Sequence, residues 1–188
     1  MKILIELFFK PLLLIVPLLV GGVLHMVAVK LDLLSFLKIP LHLWAFGKNK
    51  TYRGVVLMPL FCILGVFLSR AIENALGPAS EFMLGFTEVS PWGLGFWLGV
   101  GYILAELPNS FCKRRLGVAE GELPISKKRW LIMIYDQADS ALGCIIVYAI
   151  YLHRVSPLTL WSCVFLGTVL HLLFNYLLFV AKIRNRPC

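Results

Sequence analysis

The sequence predicts an all-α integral membrane protein: a single bundle of about five transmembrane helices, amino terminus outside and carboxyl terminus cytoplasmic. Three observations predict it. Of the 188 residues, 60% are apolar and 15% charged, with a mean hydropathy of +0.86, whereas soluble domains run at about 45–50% and about 25%. The apolar residues gather into five stretches, each near the ~20 residues that cross a ~30 Å hydrocarbon core. The basic residues crowd into alternate connections between them. A disordered chain needs the opposite composition, and no length remains for a soluble catalytic domain beside the bundle. The whole chain, 1–188, reads as one polytopic membrane domain.

In order, the stretches lie at about 11–29, 55–72, 91–107, 130–152 and 158–181. In lipid every backbone N–H and C=O must be paired internally, so each is expected to be a helix; barrel strands would be shorter and patterned at period two. The first stretch has no clear small-residue cleavage site, so it is not read as a signal peptide. Residues 31–44 mix Asp32, Ser35, Lys38 and His42 with Leu, Phe and Ile. They are too polar to span and read either as an interfacial helix ended by Pro40 or, equally, as a packed loop. The connection 73–91 carries Glu73, Glu81 and Glu88 among Pro and Gly and reads as a plain connector.

The charges orient the bundle. Lys30, Lys38, Lys48, Lys50 and Arg53 fall in one connection. Lys113, Arg114, Arg115, Lys127, Lys128 and Arg129 fall in another, and Lys182, Arg184 and Arg186 in the tail. The other side has only Lys2, Lys10, Arg70 and Arg154. That asymmetry puts the basic side in the cytoplasm and accounts for the formal charge of +8 without nucleic acid. Cys62, Cys112, Cys144, Cys163 and Cys188 form no CxxC pair, so no disulfide framework or zinc site is expected. His25 and His171 read as packing or hydrogen-bonding residues on apolar faces.

Three acids stand where the bilayer should forbid them. Glu106 is near the inner end of the third stretch; Asp136 and Asp139 open the fourth. Each central acid costs roughly 2.5–3.5 kcal/mol on an insertion scale. The i, i+3 spacing of Asp136 and Asp139 puts both carboxylates on one helix face, where a cation between them keeps both ionised. An all-oxygen donor set suits Mg²⁺. At the same membrane level lie two basic clusters, 48–54 and 113–115. Carboxylates for metal beside cations for phosphate make a phosphoryl or nucleotidyl transfer site. There is no GxxxxGK[ST] loop and no strand-linked GxGxxG.

The run from Glu106 through Leu107-Pro108-Asn109-Ser110-Phe111-Cys112-Lys113-Arg114-Arg115, followed by Asp136-Gln137-Ala138-Asp139, resembles the CDP-archaeol synthase family, relatives of the CDP-diacylglycerol synthases. Phe46-Gly47-Lys48-Asn49-Lys50-Thr51-Tyr52-Arg53-Gly54 is similar to that family's second motif. Where the family has Gly-Asp before the Ser motif, this chain has Ala105-Glu106, an acid one methylene longer; Tyr52 stands where Trp is familiar. The resemblance implies a membrane-embedded cytidylyltransferase of phospholipid biosynthesis, converting a lipid phosphate and CTP to CDP-lipid and pyrophosphate. It implies one or two Mg²⁺ on Asp136, Asp139 and Glu106, with Asp136, Asp139, Lys113 and Arg114 catalytic. Lys48, Asn49, Lys50, Thr51, Arg53, Asn109, Ser110 and Arg115 would bind substrate. The lipid would come from the inner leaflet of the cytoplasmic membrane, as an archaeol-type ether phosphatidate or a phosphatidate, and family analogy allows a homodimer. The alternative is a small ion-coupled transporter, whose acids relay ions across the membrane.

Overall fold

The computed structural model describes residues 1–77, 81–119 and 129–182. Lys127, Lys128, Arg184, Arg186 and Cys188 lie outside the described residues. Five long helices dominate: α1 (Lys2–Lys30), α2 (Tyr52–Leu76), α3 (Pro91–Arg115), α4 (Arg129–Tyr151) and α5 (Pro157–Val180). Among the described residues there is no strand beyond an isolated bridge between Pro40 and Thr51. Three of the helices, α1, α2 and α5, are long and apolar enough to cross a membrane. Glycines, aromatic residues and Glu106 hold α3 below that hydropathy, and the apolar part of α4 among the described residues is Ala138–Tyr151.

The helices begin where local chemistry starts them. Ser90-Pro91 opens α3 and Ser156-Pro157 opens α5. Proline at the first helical position gives up an N–H that has no partner there anyway, and Ser156 Oγ accepts from Thr159 N at 3.1 Å. Helix α1 starts further back than the apolar stretch suggests. It contains a π-helical turn over Ile5–Phe9, before Lys10–Lys30.

Consecutive long helices pack against one another, and α5 also packs against α1. Glycine sets the closest approaches. Gly95 and Gly99, one turn apart on α3, lie against the backbone of Ile63 and Pro59 on α2, so close that a Cβ at either would overlap backbone atoms. Small-xxx-small spacing is the usual way for membrane helices to approach this closely. A Cβ at Gly65 would lie 2.5 Å from Pro17 Cα. Outward faces are apolar: Trp161, Phe165, Val169, Leu173 and Leu177 recur every fourth residue along α5, all exposed.

The segment 31–51 is a packed loop rather than one interfacial helix. Asp32 and Leu34 both have positive φ, which L-residues in a helix avoid. A 3₁₀ turn at Ser35–Leu37 and one helical turn at Leu43–Phe46 follow. Leu41 N then bonds Lys50 O at 2.8 Å and Tyr52 N bonds Ile39 O at 3.0 Å, folding the loop into a hairpin. Its apolar residues, among them Leu31, Phe36, Leu43 and Trp44, remain exposed.

The connection after α2 is more than a plain connector. Glu73 is fully buried. It accepts from the backbone N–H groups of Leu84, Gly85 and Thr87 at 2.5, 3.0 and 2.8 Å. At the opposite end of the bundle, Lys30 Nζ reaches Lys182 O at 2.8 Å, joining the ends of α1 and α5. The basic loop 31–51, the end of α3 and the start of α4 share that end.

Candidate active site

Helix α3 brings its last turns against the first turns of α4, and the hairpin carries 48–53 onto the same end. Asn109, buried, is the junction. Its side-chain amide donates to Asp136 Oδ1 at 2.7 Å and to Asp139 Oδ2 at 2.6 Å. Lys113, one turn further along α3, pairs with the same Asp136 oxygen. Asp139 is also buried and its Oδ1 accepts from Ser140 N at 2.6 Å. Thus the i, i+3 pair faces α3, as its spacing requires, and the basic motif of α3 supplies its counter-ion.

Glu106 is one turn before Asn109 and takes a different partner, Lys50 from the hairpin. Burial works against the charge of Lys50, but Glu106, with Asp139 and Asp136 behind it, holds its ammonium above the usual lysine range. Lys50 therefore feels all three acids. Sequence spacing groups Glu106 with the two aspartates; the structure keeps it in their field but pairs it with a lysine.

The remaining basic residues divide. Arg53 is buried at the start of α2 and turns toward the hairpin, where its Nη1 donates to Asp32 Oδ1 at 2.8 Å. That contact holds the Asp32 carboxyl below its ordinary range, chiefly through the Arg53 hydrogen bond. The Arg53 Nε is buried without a hydrogen-bond partner among the described residues. Arg114 is half-buried and its Nη2 reaches Ala119 O at 3.4 Å. Arg115 faces away from the acids: its guanidinium lies 3.6 Å from the Trp44 ring centroid and donates to Trp44 O at 2.7 Å. It docks the Leu43–Phe46 turn on α3. Lys48 and Asn49 are exposed on the hairpin, Thr51 forms the bridge to Pro40, and Ser110 is buried beside Asn109.

Three residues to which the sequence assigned no site role, His25 among them as a packing residue, belong to this end. His25 of α1 is within electrostatic reach of Glu106, Lys50 and Arg53, and a Cβ at Gly54 would stand 3.5 Å from its Nε2. Tyr102 and Ser140 are buried, with Glu106 and Asp139 in electrostatic range of the Tyr102 phenol. A histidine four residues after Gly21 on an apolar helix gives no hint of this; only the packing of α1 on α2 brings it here.

The donor set fits a hard divalent cation at Asp136 and Asp139. Two carboxylates already share a single N–H₂ donor, and such a position suits a cation equally. Nitrogen and oxygen of an amide are also near-equivalent in shape, so Asn109 can present its oxygen instead. Among the described residues no group of three or more His, Cys, Asp or Glu side chains is placed to hold a metal ion. A metal here would draw its other ligands from water and phosphate, as Mg²⁺ commonly does.

A family model described as CarS-like, CDP-archaeol synthase, matches residues 4–187. A CDP-archaeol synthase from Thermofilum pendens is 28% identical over 141 residues, which is 75% of this chain and 58% of that relative. The chain thus spans little more than half the length of the curated relative it matches. No solved structure matches the chain.

Proposed function

The chain belongs to the CDP-archaeol synthase family, and from that premise we propose that it is a CTP-dependent cytidylyltransferase making a CDP-lipid from a membrane lipid phosphate. The observation that carries the reading is the clasp of Asp136 and Asp139 by Asn109, flanked by the Lys113–Asp136 and Lys50–Glu106 pairs. Acids and cations in alternation suit a reaction that brings two anions together. The transporter reading gains nothing from the family.

In the proposed reaction an oxygen of the lipid phosphate attacks the α-phosphorus of CTP, and the bond to the β,γ-pyrophosphate breaks in line. The nucleophile is anionic at neutral pH, so no general base is required. Catalysis is then positioning and charge neutralisation. Lys113 and Arg114 would neutralise phosphate oxygens, Arg as a planar fork and Lys as a point charge. Lys50, held by Glu106, would reach phosphate from the hairpin side together with Lys48, Asn49, Thr51 and Arg53, while Asn109 and Ser110 would donate from α3. Arg115, stacked on Trp44, would hold the hairpin in place. Asp136 and Asp139 would hold Mg²⁺, and Glu106 would position Lys50. Bound there, the metal would supply Lewis-acid neutralisation of phosphate charge.

Five crossings as a single membrane domain, with this end in the cytoplasm, account for the basic loops by the positive-inside rule. The lipid would then enter sideways from the inner leaflet of the cytoplasmic membrane. The exposed Leu31, Phe36, Leu43 and Trp44 of the hairpin lie beside that route. A homodimer is compatible with this placement.

The test is pyrophosphate release by purified protein with Mg²⁺ and CTP, offered an archaeol-type ether phosphatidate and an ordinary phosphatidate in parallel. Turnover with either, absent in Asp139→Asn, is expected. Folded protein that binds no CTP would overturn the reading.

A further inference from the structure

We infer that Lys113 and Asn109 are exchangeable stand-ins for the metal, so that the site binds its anionic phosphate and its divalent cation cooperatively. The inference rests on the proposed metal role of Asp136 and Asp139. Asp136 Oδ1 carries two donors, the Lys113 ammonium and the Asn109 amide, and Asp139 Oδ2 carries the other Asn109 hydrogen. The second Asp139 oxygen is committed to Ser140 N. The two carboxylate oxygens that Asn109 bridges therefore each carry a donor where a cation between the acids would sit. Lys50 and Glu106 repeat the arrangement next door.

A divalent ion alone must displace an ammonium and leave that positive charge beside it in a partly buried place. A phosphate alone must draw Lys113 from Asp136 and leave two carboxylates facing one another. Either ligand by itself meets an opposing charge; together each removes the other's obstacle. Linkage then requires that phosphate raise metal affinity by the same factor as metal raises phosphate affinity. The lysine thereby keeps the site closed to bare Mg²⁺ and opens it to metal and polyphosphate as a pair. The movement required is one lysine side chain and one amide.

The experiment is Mn²⁺ binding to the full chain in detergent, followed by electron paramagnetic resonance, with and without inorganic pyrophosphate. Wild type is expected to bind Mn²⁺ weakly alone. Lys113→Gln is expected to tighten that pyrophosphate-free affinity about tenfold, within the usual range of coupling between sites, and to lose most of the gain that pyrophosphate gives wild type. Lys30→Gln removes a like charge at the same end of the bundle but no carboxylate partner, and should change affinity less than about threefold, the scale of a screened surface charge. If Lys113→Gln does not stay monodisperse, Lys113→Met serves, with a tightening in the same direction. Equal effects of Lys113→Gln and Lys30→Gln, or none in Lys113→Gln, would overturn the exchange while leaving the metal site standing. Binding that survives in an Asp136→Asn, Asp139→Asn double variant would instead remove the metal site itself.

Discussion

Lys50 and Glu106, 56 positions apart in sequence, form an ion pair that ties the hairpin before α2 to the last turns of α3. Both side chains are only about one quarter exposed. The raised lysine pKa fixes the sign of its pH dependence. Its contribution is complete below the ordinary lysine value of 10.5 and is lost only as pH rises through the higher folded value. The pair is thus intact across the neutral range.

Because the two act as a unit, their variants should not add. If Lys50→Met and Glu106→Gln each lower kcat/KM by about tenfold, the double variant should fall by about the same factor, not by about a hundredfold. Steady-state pyrophosphate release measures all three. A double variant showing the full product would assign the two side chains independent roles.

Asp136→Asn and Asp139→Asn should each reduce turnover by at least about a hundredfold, as expected when a group acting on the transferring phosphate is lost. Both should elute as wild type on size exclusion in detergent. Asparagine keeps the size and the oxygen acceptor but not the charge, and Asn109 can still donate to it. Turnover near wild type in either would end the assignment of that residue to the site.

The helices were legible because burial in lipid needs only hydropathy and length, and both are written along the chain. The shared face of Asp136 and Asp139 was legible for a similar reason: the helical repeat fixes it within one element. Partnership across helices was not. Whether Glu106 meets the aspartates or Lys50 depends on how far α3 is rotated, and Gly95 and Gly99 set that through their contacts with Ile63 and Pro59. The same holds for His25, which reaches the site only by the packing of α1 on α2, and for Arg115, which has the sequence context of a phosphate ligand and the position of a hairpin anchor. Glu73 reads as a loop acid and is a buried one, because its partners are backbone N–H groups that no residue code records.

Pro17 and Ser69 offer a test of packing apart from chemistry. Proline has no N–H, so the carbonyl four residues earlier, Leu13 O, loses its helical donor. Ser69 Oγ on α2 donates to that oxygen at 3.1 Å, buried between the helices. Ser69→Ala should therefore cost about 1 kcal/mol, the value of a typical buried hydrogen bond. With Pro17→Ala restoring the backbone donor, Ser69→Ala should cost nearly nothing. Thermal unfolding in detergent of the four proteins in this cycle gives the answer, and equal costs in both backgrounds would show that Ser69 does not serve that carbonyl.

Glu73 should separate stability from activity. Its carboxylate accepts three backbone N–H groups at the far end of α2, while the candidate site gathers around the near end, where Arg53 begins the helix. Glu73→Ala leaves those donors buried without an acceptor, and roughly 3 kcal/mol of stability should go with them, the upper range for hydrogen bonds to a charged group. Glu73→Gln keeps one acceptor oxygen and should lose less. Below its unfolding temperature, Glu73→Gln should turn over at the wild-type rate per folded molecule, because none of its contacts touches Asp136, Asp139, Lys113 or Lys50. Unfolding curves and pyrophosphate release on the same preparations decide it. A lowered kcat with an unchanged unfolding temperature would mean that the segment Leu84–Thr87 communicates with the site along α3, and the two ends of the bundle would have to be treated as one coupled machine.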